Sequence, residues 1–246
     1  MSRTATRRLP AAAATLLWLL VLAPSVPSAR PVPNATPFAG VPAPSSAGAG
    51  DLAPERLEPV TFANRTGREI VHLFASPRGA RYWGADALGG RRRLPTGAEV
   101  DFYLHVDGLS SYDILAVDHV GDAYLLWDHR IPDDAAARVE IGATHLEGGY
   151  DHPPLATVEV VNRSGRDIWY LFLAARDSTL AGIDVLGADA ILETRETVSI
   201  VVPVTGETVG YELVGLDAHD GRYAGIVEIT PSTRKRTVEV GAAVFR

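Results

Sequence analysis

The chain contains no cysteine among its 246 residues. This absence excludes a disulfide framework, and it excludes the lipid-anchored form of a bacterial lipoprotein, which needs a cysteine directly after its export signal. Ordinary core packing must therefore hold the domains together. A hydrophobic content of 46% and a charged content of 22% are typical of globular proteins and allow a sizeable core.

Clustered basic residues and long apolar runs are also scarce. The formal net charge is −7 at pH 7, and the two basic runs, 91–93 and 234–236, are short. Phosphate recognition needs clustered Lys and Arg, so the composition argues against a nucleic-acid partner and against anionic lipid headgroups. Beyond the N-terminal region no apolar run reaches the roughly 18 residues of a membrane-spanning helix. We expect no integral membrane span in the mature chain.

Residues 1–29 have the layout of a secretory signal peptide. A region with several arginines precedes an apolar core at residues 11–23, and small residues follow. Cleavage after Ser28 and cleavage after Ala29 both fit this pattern. A twin-arginine signal at Arg7-Arg8 and an uncleaved membrane anchor are the alternatives. We expect an exported protein, either periplasmic or extracellular.

Residues 30–55 form a segment rich in proline, alanine, serine and glycine. Such a segment buries too little apolar surface to offset the entropy lost on ordering. It is predicted to be a disordered linker between the signal peptide and the first domain.

Two stretches of the remaining chain match each other at an offset of about 98 residues. The sequence VTFANRTGREI begins at Val60, and VEVVNRSGRDI begins at Val158. Further matches continue in the same order to the ends of both copies. This pattern indicates a tandem duplication. The predicted boundaries are repeat 1 at 56–142, an interdomain linker at 143–154 and repeat 2 at 155–246.

Apolar and polar residues alternate within each copy, which is typical of strands with one buried face. Strands are predicted at about 58–63, 68–75, 100–106, 112–118, 123–128 and 137–141, with counterparts about 98 to 99 residues later. Short strands separated by Asn- and Gly-rich turns predict an all-β fold. We expect two tandem antiparallel β-sandwiches of immunoglobulin-like or transthyretin-like type, with a small barrel as the alternative.

The repeated motifs N-R-[TS]-G-R-x-I and G-x-D-x-L-G carry a resemblance to a known group of proteins. They are similar to an uncharacterised family of tandem-repeat domains in exported bacterial proteins, with the patterns N-x-[TS]-G-x-x-I and W-G-x-D-x-L-G. The first copy has the tryptophan of the second pattern at Trp83, whereas the second copy has Ala181 there. The resemblance implies an exported bacterial repeat protein and no particular activity.

Asp86 and Asp184 occupy equivalent positions in the G-x-D-x-L-G motifs. One interpretation is a calcium or ligand site, since carboxylates are hard oxygen ligands. The other is a turn-forming aspartate that accepts backbone hydrogen bonds. Asn64 and Asn162 begin N-x-[TS] sequons, but we expect them to form turns instead of carrying glycans.

The adjacent aromatic residues Tyr82 and Trp83 are predicted to lie in a loop, where the presence of large apolar side chains calls for an explanation. They are candidates for a surface that binds carbohydrate or peptide. The alternative is that they fill a sandwich core. The histidines do not repeat, since Tyr170 stands at the position of His72, so no shared metal or catalytic site can use them.

The sequence contains no nucleophile elbow, phosphate-binding loop or dinucleotide fingerprint. We therefore predict that the protein is not an enzyme and needs no cofactor. The favoured hypothesis is a non-catalytic exported binding or structural module of the bacterial cell envelope, presenting loops or strand edges to a protein or glycan partner. A calcium-binding β-sandwich that uses Asp86 and Asp184 is the alternative. A hydrolase with scattered catalytic residues is a third hypothesis.

Overall fold

A computed structural model describes residues 52, 54–78, 80–108, 110–132, 136–147, 153–176, 178, 180–219 and 221–241. The predicted signal peptide and most of the predicted linker at 30–55 lie outside this part of the chain. Within it, no helix is long and apolar enough to cross a membrane.

Thirteen strands make up the described fold, and the predicted all-β class is confirmed. Those of the first sandwich are β1 (Leu57–Arg65), β2 (Ile70–Pro77), β3 (Glu99–His105), β4 (Ser110–Asp118), β5 (Ala123–Ile131), β6 (Ala137–Gly142) and β7 (Leu146–Glu147). Those of the second are β8 (Leu155–Arg163), β9 (Ile168–Ala175), β10 (Thr197–Pro203), β11 (Val209–Asp217), β12 (Arg222–Ile229) and β13 (Lys235–Gly241).

In the first sandwich a three-stranded sheet packs against a four-stranded sheet, called here the small and the large sheet, and the two three-stranded sheets of the second sandwich are named after their counterparts in the first. The small sheets have the orders β3-β1-β6 and β10-β8-β13, each with one antiparallel and one parallel pair. The large sheets have the orders β2-β4-β5-β7 and β12-β11-β9 and are antiparallel. The two sandwiches therefore have the same strand order, apart from β7.

Alternating side chains of the two sheets fill each core. In the first sandwich Phe62 and Phe102 meet edge to face at 6.1 Å, within an apolar cluster that includes Tyr112. In the second sandwich Val158, Leu213 and their neighbours form the corresponding cluster. Fully burying one such side chain contributes about 1.5–3 kcal/mol, so the alternation seen in the sequence accounts for the packing of the sheets.

Two ends of predicted linkers turn out to belong to the folded structure. Leu52, predicted to lie in the disordered segment, is buried against Tyr103 and its apolar neighbours. Residues 143–147, predicted to be an interdomain linker, form a short helical turn and then β7, which pairs with β5. Both corrections have one cause: a few apolar or strand-pairing residues can dock even when the surrounding composition favours a linker.

The turns at Asn64 and Asn162 form as the sequence predicts. Asn64 is buried, its Oδ1 accepts a hydrogen bond from the Thr66 amide at 3.0 Å, and its Nδ2 donates to the Leu94 carbonyl at 2.7 Å. Asn162 makes the equivalent contacts with Ser164 and Leu192. In each sandwich the asparagine therefore holds its turn against the loop that precedes the next strand of the small sheet, at Leu94 or at Leu192.

Candidate functional site

The two G-x-D-x-L-G motifs connect the sandwiches to each other. Residues 84–90, here called the first bridging segment, lie beside β2 of their own sandwich, where the Ala87 amide donates to the Leu73 carbonyl at 2.7 Å. On the other side the Asp86 amide donates to the Val201 carbonyl of β10 at 2.8 Å. The first bridging segment thus joins the large sheet of one sandwich to the small sheet of the other.

Residues 182–188, the second bridging segment, make the reciprocal connection. The Val185 amide donates to the Leu171 carbonyl of β9 at 2.8 Å, and the Asp184 amide donates to the Tyr103 carbonyl of β3 at 2.9 Å. The His105 amide adds a bond to the Gly182 carbonyl at 2.9 Å. Each sandwich therefore receives a segment from its neighbour.

The carboxylates of Asp86 and Asp184 hold these segments in place. Asp86 Oδ1 accepts from the Leu73 and Leu88 amides at 2.9 and 3.0 Å, and its Oδ2 lies 2.8 Å from His72 Nδ1. Asp184 Oδ1 accepts from the Leu171 and Leu186 amides at 2.9 and 3.1 Å. Both aspartates are fully buried.

These contacts correct the calcium interpretation of Asp86 and Asp184. Calcium sites gather several oxygen ligands around a cavity that an ion can enter. Here each carboxylate is buried and turned toward backbone N–H groups, and within the described residues no group of three His, Asp or Glu side chains could hold a metal ion. The interpretation as backbone-accepting aspartates is the one that fits.

Tyr82 and Trp83, in contrast, lie together at an open cleft near the junction of the two sandwiches. The Trp83 carbonyl accepts a hydrogen bond at 3.4 Å from the hydroxyl of Tyr211, which belongs to β11 of the second sandwich. The amide of the next residue, Gly84, donates to Ser76 Oγ at 2.9 Å. The position of Trp83 is thus fixed from both sandwiches.

Trp127, on β5, completes an aromatic pair with Trp83. The ring centroids are 6.1 Å apart and the rings are tilted by 34°. Trp83 packs on the outer face of β2, β4 and β5, whereas 58% of Trp127 is exposed. A large apolar side chain that is held in place and left exposed at a cleft is typical of a binding surface.

A β-bulge lies at Trp127, which alternation with Tyr124 and Leu126 of the core already places on the outer face of the sheet. The register between β4 and β5 shifts between Tyr112 and Ile114, so that Trp127 and Asp128 together oppose Asp113. Asp128 has φ 56°, and its amide donates to Asp113 Oδ1 at 2.8 Å. Because bulges occur beside functional sites, we regard this one as part of the site.

The cleft between the tryptophans and the second sandwich has a volume of about 230 Å³. Its lining residues come from both sandwiches: Ser76, Ala80, Arg81, Tyr82, Trp83, Asp113, Trp127, Pro153, Pro203 and Thr205. Two contacts hold the Arg81 side chain at the edge of the cleft. Its Nη2 lies 2.7 Å from Glu207 Oε1, and its Cζ lies 5.2 Å from the centroid of the Tyr82 ring. The arrangement combines two indole rings with few polar groups, as small ligand sites commonly do.

The second sandwich does not carry an equivalent surface. Ala181 stands at the position of Trp83 and Ile226 at that of Trp127. The register between β11 and β12 runs from Val209 to Leu216 without a shift. The equivalent corner of the second sandwich therefore has no pair of tryptophans.

Trp127 and Asp113 were not predicted as site residues. The sequence gives no signal for the bulge at Trp127, because the offset between the two copies is 99 both at Asp118 and Asp217 and at Val139 and Val238. The extra residue of β5 relative to β12 is visible in the structure. Asp113 gives no signal either, because its role depends on the residue across the sheet.

No family model matches the chain, and no curated protein matches it. The predicted family resemblance therefore stays a prediction. One similar solved structure is a "putative adhesin" from Bacteroides ovatus, with 7% identity and a TM-score of 0.23, covering 76% of this chain and 93% of that one. Another is a family CBM26 module from Eubacterium rectale in complex with maltoheptaose, with 9% identity and a TM-score of 0.21, covering 76% and 95%. TM-scores of this size support no conclusion about function.

Proposed function

We propose that this protein is a non-catalytic binding module of the bacterial cell envelope whose Trp83–Trp127 cleft binds a glycan. The observation that carries the proposal is the exposed Trp127, which pairs with Trp83 next to a bulge and lines a cleft. Export rests on the predicted signal peptide at residues 1–29.

A glycan suits the cleft because of the chemistry of the indole ring. The face of an aromatic ring carries partial negative charge, and the C–H groups on one face of a sugar ring carry partial positive charge. Two tilted indoles offer such a surface, and the nearby carboxylate of Asp113 can accept hydrogen bonds from sugar hydroxyls. A volume of about 230 Å³ fits one or two sugar rings better than a folded domain.

A protein partner is the weaker candidate. Stable protein interfaces bury about 1,200–2,000 Å² in total and centre on a broad buried patch. The other exposed large apolar residues of the described chain are Val120, Leu146, Ile191 and Ile226. They occupy separate strands and loops and do not line the cleft, so the apolar surface there is small.

Binding without catalysis suits the composition of the cleft. Hydrolysis of a glycosidic bond uses a pair of carboxylates on either side of the bond. Among the described residues that line the cleft, Asp113 is the one carboxylate. We therefore infer a role in recognition and not in bond cleavage.

The test is a glycan-array experiment with the full chain, followed by competition with the soluble oligosaccharide that binds best. We expect binding of at least one class of oligosaccharide, accompanied by a change in tryptophan fluorescence. Trp83→Ala should abolish that binding. An array on which no glycan binds above the level of the Trp83→Ala variant would contradict the proposal.

A further inference from the structure

The cleft has an uneven distribution of charge. Two arginines lie near it, and both are neutralised: Arg81 pairs with Glu207 at 2.7 Å, and Arg78 pairs with Asp128 at 2.9 Å. Asp113 also lines the cleft, and no salt bridge to it forms within the described residues. An uncompensated negative charge thus lies beside the two tryptophans.

The bulge fixes the orientation of the Asp113 carboxylate. Asp113 Oδ1 accepts a hydrogen bond from the Asp128 amide, and this bond holds the carboxylate in one orientation. For Oδ2 the described part of the chain provides no hydrogen bond. Since Asp113 is half-buried, one oxygen serves the bulge and the other is available to a ligand in the cleft.

We infer that the cleft selects a glycan with a free amino group, such as a deacetylated hexosamine, over neutral and acidic sugars. The protonated amine would lie against Asp113 while the carbon face of the same or the next ring stacks on Trp127. A carboxylate and an indole face both attract a cation, so the two contacts reinforce each other. The same negative charge would repel uronic and sialic acids. This inference rests on the proposed glycan-binding function and names its ligand class.

In the second sandwich Glu212 stands opposite Ile226 as Asp113 stands opposite the bulge. Glu212 is buried, with 4% exposure, and no tryptophan lies at Ile226 or Ala181. The corner of the second sandwich that is equivalent to the cleft therefore has neither an accessible carboxylate nor an indole ring.

The experiment is a calorimetric titration of the full chain with length-matched oligomers of glucosamine, N-acetylglucosamine and a uronic acid. A buffer at about pH 6 keeps sugar amines protonated and most carboxylates ionised. We expect the glucosamine oligomer to bind about tenfold more tightly than its N-acetylated counterpart, with the uronic acid oligomer weakest. The preference should weaken as salt concentration rises.

Asp113→Asn is the decisive variant. Its amide oxygen can still accept the Asp128 hydrogen bond, so the bulge should persist while the charge is lost. We expect it to bind glucosamine and N-acetylglucosamine oligomers equally. If the wild type binds both oligomers equally, or if Asp113→Asn keeps the preference, the inference about charge is wrong and the glycan site still stands. If no oligomer on this list or on the array binds, the proposed function fails as well.

Discussion

The two sandwiches share a strand order apart from β7, and they differ at the corner where β5 of the first corresponds to β12 of the second. In the first sandwich Trp127 lies beside a bulge with Asp128 at φ 56°, and its ring pairs with that of Trp83. In the second the strands pair in continuous register, and Ile226 and Ala181 replace the tryptophans. The buried residues Asn64 and Asp86 of the first sandwich have the same hydrogen-bonding role as Asn162 and Asp184 of the second. The difference at this corner lies on a surface, where sequence varies more freely than in the core.

The largest expected effect tests the frame that both halves share. Asp86→Ala and Asp184→Ala should each destabilise the full chain by about 3 kcal/mol, because two buried backbone N–H groups lose their acceptor in each case. The loss in the free energy of unfolding is measured by chemical denaturation monitored by circular dichroism. The matched variants Asp86→Asn and Asp184→Asn keep one acceptor oxygen and should lose less.

Melting curves with calcium and with a chelator should coincide, because both carboxylates are fully buried and accept hydrogen bonds from backbone amides. A calcium-dependent shift that disappears in Asp86→Ala would restore the calcium interpretation. A large loss for one aspartate and none for the other would show that the two bridging segments are not equivalent.

The next prediction concerns the contact between the second bridging segment and the first sandwich. Gly187 has φ +75°, and a Cβ atom there would collide with the guanidinium of Arg92, which donates to the Val185 and Leu186 carbonyls at 2.8 Å each. Gly187→Ala should therefore lower stability by about 1 kcal/mol more than a glycine substitution with backbone strain alone.

Gly165→Ala is the matched control for Gly187→Ala. Gly165 has φ +77°, and a Cβ atom there would meet no other atom within 4 Å. Both variants are compared by chemical denaturation of the full chain. Equal losses would mean that Arg92 moves aside without cost and that this contact between the sandwiches is weak.

A smaller effect should isolate the strain in the bulge. Asp128→Ala and Asp128→Gly both remove the ion pair with Arg78, but only glycine adopts a positive φ without strain. We expect the alanine variant to be about 1 kcal/mol less stable than the glycine variant. Equal stability would indicate that in these variants β4 and β5 lose the bulge and pair in continuous register, as β11 and β12 do.

The smallest effect concerns the exposed ion cluster around Glu99, whose position in the second sandwich is occupied by Thr197. Hydrogen bonds from Arg138 and Arg65 lower the pKa of Glu99 from 4.5 to about 2. A carboxyl whose pKa is lowered by folding stabilises the native state above its ordinary pKa, and this contribution is lost as the pH falls from 4.5 toward about 2.

Glu99→Gln should therefore make unfolding less dependent on pH in that range, with little change at pH 7 beyond the loss of the exposed pair. Acid titrations of the unfolding midpoint measure this. Thr197 stands at the equivalent position, so Thr197→Val serves as the control in the second sandwich. A steeper acid dependence in Glu99→Gln would contradict the assignment.

Much of the fold follows from the sequence because strand formation depends on a local pattern. The alternation at Val100, Phe102 and Leu104 identifies β3, and the Asn64 turn identifies the start of β2. The exchange of bridging segments does not follow. The motif around Asp86 has the same local contacts whichever small sheet it joins, and its partner Val201 lies more than a hundred residues away.

The site was predicted in part, for similar reasons. The position of Tyr82-Trp83 in a loop was enough to mark that pair as a candidate surface. Alternation places Trp127 on the same outer face as Leu125, but Leu125 is buried there by neighbours such as Trp83 and Leu155 whereas Trp127 is exposed, and the sequence does not show which part of that face is covered. Asp86 and Asp184 are buried by strands of the neighbouring sandwich. The sequence does not show this burial, so both aspartates were open to interpretation as exposed ligands.

The most direct test of the central claim compares Trp127→Ala with Ile226→Ala, which alter equivalent corners of the two sandwiches. Both side chains are more than half exposed, at 58% and 57%, so neither variant should lose much stability. Binding of the best array glycan by the full chain is measured by isothermal titration. The account predicts that Trp127→Ala weakens binding at least about tenfold, which is about 1.4 kcal/mol, while Ile226→Ala leaves it unchanged. Equal effects of the two variants, or a loss in Ile226→Ala alone, would contradict a binding site in the first sandwich.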